Sequence, residues 1–130
     1  MTGAPDPFHC ELRVRFGECD MQGVVFNAHY LAYVDDAIDR WFAAVAPGNE
    51  DFMNVMVKKA TIEWSSGVRH ADVLDLAPRV ERWGNTSFDV VVDGRVGDRP
   101  VFTATLVYVA VDLATNTAVR VSDGLRTALS

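Results

Sequence analysis

The segment from Arg15 to Tyr30, RFGECDMQGVVFNAHY, combines groups that can act on a carbonyl compound. Asp20 supplies a carboxylate that can serve as a nucleophile or as a general base. Gly23 allows the backbone to approach a ligand closely. A helix is predicted to start at Asn27, and a helix N-terminus offers unpaired N–H groups that stabilise developing negative charge. The spacing indicates a site for a carbonyl substrate, although an Asp before a helix also serves as a turn or capping residue.

Other reactive side chains stand beside this candidate site. We expect His29 and Tyr30, in the first helical turn, to border the substrate pocket. Cys19 precedes Asp20, and neighbours on an extended segment face opposite ways, so its thiol is predicted to pack in the core. No two of the three histidines have metal-ligand spacing, and no glycine-rich nucleotide motif is present. The sequence therefore predicts neither a metal site nor a cofactor.

The elements that position the site follow from hydrophobic periodicity. Leu12, Val14 and Phe16 alternate with arginines, which predicts a strand with one buried face. Apolar residues then recur at intervals of three and four, which predicts an amphipathic helix of about 17 residues. We expect Asn27 to cap its N-terminus and Pro47, followed by a glycine, to end it.

The rest of the chain has the pattern of successive strands. The predicted strands are Val55–Ser66, Val73–Trp83, Ser87–Val96, Val101–Val111 and a short Ala118–Val121. One strand, one long helix and then antiparallel strands make an α+β fold. The strand Val101–Val111 is apolar on both faces. A strand with one solvent-exposed face would alternate apolar and polar residues more strictly. This feature predicts a partner, most simply a second copy of the chain.

Composition limits the functions that the chain can have. At 130 residues, with 49% hydrophobic and 23% charged residues, it is expected to form one domain, with residues 1–7 as a loose tail. The net charge of −6 argues against nucleic acid and against an anionic membrane surface. No apolar run approaches the roughly 20 residues that cross a bilayer, and no secretion signal is evident, so we expect a cytoplasmic protein.

The segment from Arg15 to Tyr30 resembles the opening of the hotdog-fold acyl-CoA thioesterases, the 4-hydroxybenzoyl-CoA thioesterase family. The matching residues are Phe16, Glu18, Asp20, Gly23, Val25, Phe26 and Tyr30. Looser similarity extends over the rest of the chain, at Thr86-Ser87-Phe88, at 109–112 and at 119–125. The first motif is specific, and it carries the resemblance.

The resemblance implies an antiparallel sheet of about five strands wrapped around one long helix, in a homodimer or homotetramer with active sites between subunits. It also implies hydrolysis of an acyl thioester to a free acid and a thiol. Asp20 then corresponds to the catalytic carboxylate, and the backbone N–H of Asn27 to the group that polarises the thioester carbonyl. Whether Asp20 attacks the carbonyl to form an anhydride or deprotonates water stays open.

Two departures from the family pattern bear on the substrate. Basic residues that would meet nucleotide phosphates do not follow Trp83, and Arg69, Arg82 or Arg120 are the candidates to replace them. Ala71 stands where relatives often have glycine. Coenzyme A and an acyl carrier protein therefore both remain possible carriers. Two other functions also stay open: a hotdog hydratase or dehydratase, in which an acid–base role would fall to a histidine near the helix start, and a non-catalytic acyl-thioester-binding dimer.

Overall fold

The computed structural model describes residues 7–48 and 50–130. Of the expected N-terminal tail, all but Pro7 lies outside the described residues. The described residues form six strands and two α-helices. In chain order they are β1 (Cys10–Arg13), α1 (His29–Val45), β2 (Val55–Trp64), β3 (Val73–Trp83), β4 (Ser87–Val96), β5 (Arg99–Asp112), β6 (Thr117–Ala118) and α2 (Asp123–Ala128).

The main sheet is antiparallel, with the strand order β1-β3-β4-β5-β2. The short strand β6 pairs with β5 alone. The predicted strands Val73–Trp83 and Ser87–Val96 are confirmed. β2 ends two residues earlier than predicted, and β5 is two residues longer at its start and one at its end. β2 follows α1 in the chain but lies at the far edge of the sheet, next to β5. The order of elements agrees with the α+β prediction.

The helix α1 has the 17 residues that periodicity predicted. Its buried face carries Tyr30, Tyr33, Val34, Ala37, Ile38 and Trp41. These side chains share one core with the inward residues of the sheet. On β5 that inward set is Phe102, Ala104, Leu106 and Tyr108, all of them buried.

Three local predictions were wrong. The N-cap of α1 is Ala28, and no side chain caps this helix. β1 ends at Arg13, and Phe16 is 78% exposed because the chain turns into a short 3₁₀ helix there. The third error is the strand predicted at Ala118–Val121, because β6 covers only Thr117–Ala118 and the unpredicted helix α2 follows. Ser122 caps it by accepting a hydrogen bond from the Leu125 N–H at 3.1 Å.

The outer face of the sheet is polar in its centre. Arg79 pairs with Asp93 at 2.6 Å and Arg82 with Asp89 at 3.2 Å. Of the outward valines of β5, Val107 and Val109 are half-buried, whereas Val101 and Val111 are buried. The apolar surface left open lies instead along β2, which is hydrogen-bonded on one side only.

Candidate active site

The predicted site segment folds as a tight hairpin between β1 and α1. The Phe26 N–H donates to the Glu18 carbonyl at 3.0 Å, and the Asp20 N–H donates to the Val24 carbonyl at 2.8 Å. A further bond ties the hairpin to the loop after β2, since the Val25 N–H donates to the Val68 carbonyl at 2.8 Å. The segment is therefore held by backbone hydrogen bonds on two sides.

Asp20 stands at the tip of this hairpin and is half-buried. Its Oδ1 accepts a hydrogen bond from the Gln22 N–H at 2.8 Å, and its carbonyl accepts one from the Gly23 N–H at 3.0 Å. Gly23 has a φ of 78°, in the left-handed region that favours glycine. Nothing lies within 4 Å of a Cβ built on it, so the turn conformation explains this glycine.

The start of α1 presents unpaired donors. The His29 N–H donates to the Phe26 carbonyl at 2.9 Å, and the Tyr30 N–H donates to the Asn27 carbonyl at 3.3 Å. Asn27 and Ala28 are exposed, and neither donates its own backbone N–H to any acceptor in the described part of the chain. The arrangement offers two N–H groups to a carbonyl oxygen at the positive end of a helix.

Tyr30 lies beneath the hairpin and is buried. Its ring makes edge contacts with Trp64, at a centroid distance of 5.7 Å, and with Phe102, at 5.4 Å. Burial raises the pKa of the Tyr30 hydroxyl, and the nearby Cys19 and Asp20 raise it further, against a hydrogen bond with the Val68 backbone. Tyr30 is thus both a core residue and a close electrostatic neighbour of Asp20.

The remaining candidates are placed as follows. His29 is half-buried, with its ring 6.2 Å from that of Phe26 in an edge-on contact. Cys19 is half-buried and packs against the hydrophobic core, as the alternation predicted. No group of three or more His, Cys, Asp or Glu residues in 7–48 and 50–130 is arranged to hold a metal ion.

Sequence analysis missed a cleft that has a volume of 710 Å³. It runs between β1 with the following 3₁₀ turn and α1, and its walls include Arg13, Arg15 and Tyr33. Asp20 does not line it. Arg13 and Arg15 alternate with the half-buried Leu12 and the buried Val14, but this pattern does not reveal a cleft that forms against α1.

The cations proposed to replace the missing basic residues differ in their surroundings. Arg82 is paired with Asp89 and Arg120 with Asp123, at 3.2 and 3.1 Å. Arg126 stands over the Trp83 ring at 5.4 Å and donates to the carbonyls that follow it. The surface after Trp83 is therefore occupied by internal contacts.

A family model for the thioesterase-like superfamily matches residues 14–129. The chain belongs to this superfamily. The match includes the Asp20 hairpin, both helices and the main sheet from β2 to β5. Membership of the thioesterase-like superfamily confirms the predicted class, a thioester hydrolase, at the level of the family. No curated protein matches the chain by sequence.

Solved structures show the same fold. A 1,4-dihydroxy-2-naphthoyl-CoA thioesterase from Synechocystis is 16% identical, with 94% of each chain covered and a TM-score of 0.83. A thioesterase from Thermus thermophilus, in complex with coenzyme A and zinc, is 18% identical over 93% of this chain and 90% of that one, at a TM-score of 0.84. A thioesterase-superfamily protein from a Jannaschia species is 24% identical, with 99% of this chain and 95% of that chain covered and a TM-score of 0.85. The α+β hotdog prediction is therefore confirmed.

Within the described ranges, no helix of this superfamily member is long and apolar enough to cross a membrane.

Proposed function

We propose that this protein hydrolyses acyl-CoA thioesters, with Asp20 as the reactive carboxylate and the backbone N–H of Asn27 as the group that polarises the carbonyl. The observation that carries the proposal is the open start of α1. The two unpaired N–H groups there, those of Asn27 and Ala28, directly follow the hairpin that bears Asp20. A carboxylate and an oxyanion-binding helix start on one rigid segment suit acyl transfer to water.

Hydrolysis of the thioester requires only water, the Asp20 carboxylate and the N–H groups of Asn27 and Ala28. If Asp20 acts as a base, it takes a proton from water while the oxygen attacks the thioester carbon. The carbonyl oxygen gains negative charge, and the N–H groups at Asn27 and Ala28 stabilise it. The tetrahedral intermediate then expels the thiolate, which takes up the proton. If Asp20 attacks directly, water hydrolyses the resulting anhydride in a second step. In both routes the products are a free acid and a thiol.

Coenzyme A is the carrier that we favour. One structural relative is named for a naphthoyl-CoA substrate, and another was solved with coenzyme A. Gly23, His29 and Tyr30 border the proposed thioester site and are assigned to substrate binding. His29 stands at the helix start, where it would reach the acyl group, and Tyr30 forms the floor below Asp20.

The site is proposed to lie between two copies of the chain. β2 is a ten-residue edge strand with Met56, Val57 and Trp64 about half exposed. A long edge strand presents unpaired N–H and C=O groups that can pair with another strand. The ring of Trp64 also contacts Tyr30, so a second copy that pairs with β2 would cover the candidate site. A homodimer is the simplest assembly, and a homotetramer of two such dimers is compatible with it.

The test is thiol release from short, long, branched and aromatic acyl-CoAs, with Asp20→Asn beside the parent protein. Asparagine keeps an oxygen that accepts the Gln22 N–H, so this variant removes the charge and leaves the turn. We expect a loss on the order of 10³-fold in rate, about 4 kcal/mol of barrier. The control is Asp98→Asn, which changes an exposed charge in the β4–β5 turn and should keep full activity.

The alternatives give other results in the same assay. Enoyl-CoA hydration without thiol release would replace the proposal with a hydratase. Tight acyl-CoA binding without turnover, unaffected by Asp20→Asn, would make the protein a binding module. Turnover of acylated carrier protein alone would exclude coenzyme A as the carrier. Full thiol release by Asp20→Asn would remove Asp20 from the mechanism.

A further inference from the structure

The loop that joins β2 to β3, residues 65–72, supports the hairpin that bears Asp20. The Val68 carbonyl in this loop accepts the Val25 N–H of the hairpin at 2.8 Å. Val68 is fully buried, and its backbone also forms a hydrogen bond with the Tyr30 hydroxyl. One residue of the loop therefore holds both the hairpin and the first turn of α1.

The loop and the hairpin also pack closely against each other. Val24 in the hairpin and Arg69 in the loop form an isolated antiparallel bridge. A Cβ added at Gly67 would lie 3.1 Å from Cγ1 of Val24, which is closer than an ordinary van der Waals contact. Because no slack separates the two segments, a displacement of the loop would displace the hairpin with it.

Arg99, the first residue of β5, bridges the two ends of this loop. Its Nη1 donates to Oγ of Ser66 and to the carbonyl of Gly67, both at 2.8 Å. Its Nη2 lies 3.7 Å from Oδ2 of Asp72, and the same Oδ2 accepts the Arg69 N–H at 2.8 Å. The guanidinium group is planar and carries its donors in a fixed fork, so one side chain can hold several acceptors in a set geometry.

The contacts of Arg99 are more than an exposed ion pair. The side chain is 45% exposed, and at that exposure the charge attraction to Asp72 alone contributes little. The two hydrogen bonds at 2.8 Å are charge-assisted, which makes them the stronger contacts. Desolvation raises the pKa of the Tyr30 hydroxyl, and the Arg99 charge acts against this rise, so the cation lies close to the candidate site.

We propose that Arg99 is a positioning residue for thioester hydrolysis, which holds the loop 65–72 so that Val68 keeps the Asp20 hairpin and the start of α1 at a fixed distance. The inference rests on the proposed function. Within residues 7–48 and 50–130, Arg99 makes no hydrogen bond or ion pair with Asp20, so it acts through the loop. A misplacement of about 1 Å at the reacting groups can cost on the order of 10²-fold in rate.

The first test compares Arg99→Ala and Arg99→Lys with the parent in acyl-CoA hydrolysis. We expect Arg99→Ala to lower kcat roughly tenfold or more while KM stays within about twofold, because the binding of the substrate does not involve Arg99. Lysine keeps a cationic donor for Ser66 and Gly67, so Arg99→Lys should retain roughly half of kcat. The matched control is Arg79→Ala, which removes another exposed, ion-paired arginine and should keep full activity.

The second test is chemical rescue of Arg99→Ala by guanidinium chloride at millimolar concentrations. The Arg99 side chain is half exposed, so a guanidinium ion can reach the space between Ser66 and Asp72 from solvent. We expect kcat to recover several-fold and to saturate, with no recovery in sodium chloride. Guanidinium destabilises folded proteins, so a general loss of stability would not be relieved by it.

An unchanged kcat in Arg99→Ala would overturn the proposal. So would a loss that is equally large in Arg99→Lys and that guanidinium does not relieve, because this pattern indicates structural damage.

The third test does not need turnover. Hydrogen exchange measured by NMR follows the Val25 amide, whose bond to Val68 depends on the loop. In Arg99→Ala this amide should exchange roughly tenfold faster, whereas the amides of the central strand β4 should not change. Unchanged exchange at Val25, in an active protein, would refute the role of Arg99 alone. A parent protein that releases no thiol would refute the proposed function, and the exchange data would still decide whether Arg99 holds the hairpin.

Discussion

The Asp20 carboxylate and the Gln22 backbone are joined by a hydrogen bond of 2.8 Å, in which Gln22 N–H donates to Oδ1. This bond uses one oxygen of the carboxylate to hold the turn. The other oxygen, Oδ2, has no hydrogen-bond partner in the described chain and stands free for chemistry. The structural and the catalytic interpretations of Asp20 are therefore compatible, because a carboxylate can serve both through different oxygens.

This relationship predicts that Asp20→Ala and Asp20→Asn differ in stability. Alanine loses the bond to the Gln22 N–H, so we expect the free energy of unfolding to fall by about 1 kcal/mol. Asparagine keeps an acceptor oxygen, so Asp20→Asn should change the free energy of unfolding little. Urea denaturation followed by circular dichroism measures both. Equal stability of the alanine variant and the parent would mean that the hydrogen bond does not hold the hairpin.

Replacement of Ala71 by glycine is expected to stabilise the folded protein. Ala71 has a φ of 68°, a left-handed conformation that costs a side chain about 1–2 kcal/mol. Glycine adopts it without strain but gains freedom in the unfolded chain, which offsets part of the benefit. We therefore expect Ala71→Gly to raise the free energy of unfolding by about 0.5–1 kcal/mol. Thermal denaturation tests this, with Ala114→Gly, an exposed turn position, as the control. A destabilised Ala71→Gly protein would contradict it.

Ala71 also shows where sequence analysis fell short. The family resemblance indicated a glycine at this position, but the backbone angle that gives alanine a cost there was not evident in the sequence. The strands of the second half were predictable because each has a continuous β-branched or alternating pattern between clear turns. The 17-residue helix was predictable for the same reason, since its apolar stripe is regular.

The errors lie where local hydrogen bonds override the pattern. The alternation of Leu12, Val14 and Phe16 predicted a longer strand, yet the Glu18 N–H bonds the Arg15 carbonyl at 3.0 Å and turns the chain. The 710 Å³ cleft was not predictable because it forms between elements distant in the sequence, β1 and α1. Asp20 and Asn27 could be chosen from the motif, whereas the unpaired N–H groups required the structure.

Because its tyrosine hydroxyls are buried, the protein is expected to lose stability at alkaline pH. The chain has three, Tyr30, Tyr33 and Tyr108, and burial is the main factor raising the pKa of each. A folded-state pKa above the unfolded value of about 10 leaves stability intact below that pH. Above it the unfolded chain releases protons first, so the free energy of unfolding should fall as the pH rises.

Spectrophotometric titration of tyrosinate checks this directly. We expect the native protein to ionise only above about pH 10, together with the loss of its circular dichroism signal. The same chain in concentrated guanidinium chloride is the control and should titrate near the ordinary value. Tyrosinate that forms near the ordinary value while the fold persists would contradict the burial of these hydroxyls.

The exposed edge strand gives the last prediction. Val57 is 47% exposed on β2, and pairing with a second copy would bury it. Val57→Glu places like charges close to one another across the proposed interface, where they are also desolvated, so we expect a monomer at micromolar concentration. Light scattering after size-exclusion chromatography measures the mass. Leu113→Glu is the control, because Leu113 is 60% exposed and lies after β5, outside β2, and it should leave the assembly unchanged.

Thiol release by the same variant then links assembly to function. Trp64 ends β2 and contacts Tyr30 below the Asp20 hairpin, so loss of the partner would open the site to solvent. Water around the oxyanion weakens its stabilisation by the helix N–H groups, since charges attract less strongly in a medium of high dielectric constant. We expect the monomeric variant to lose at least tenfold in kcat/KM. A monomeric Val57→Glu protein with full activity would show that one chain holds the complete site, and a parent protein that is already monomeric would exclude the interface.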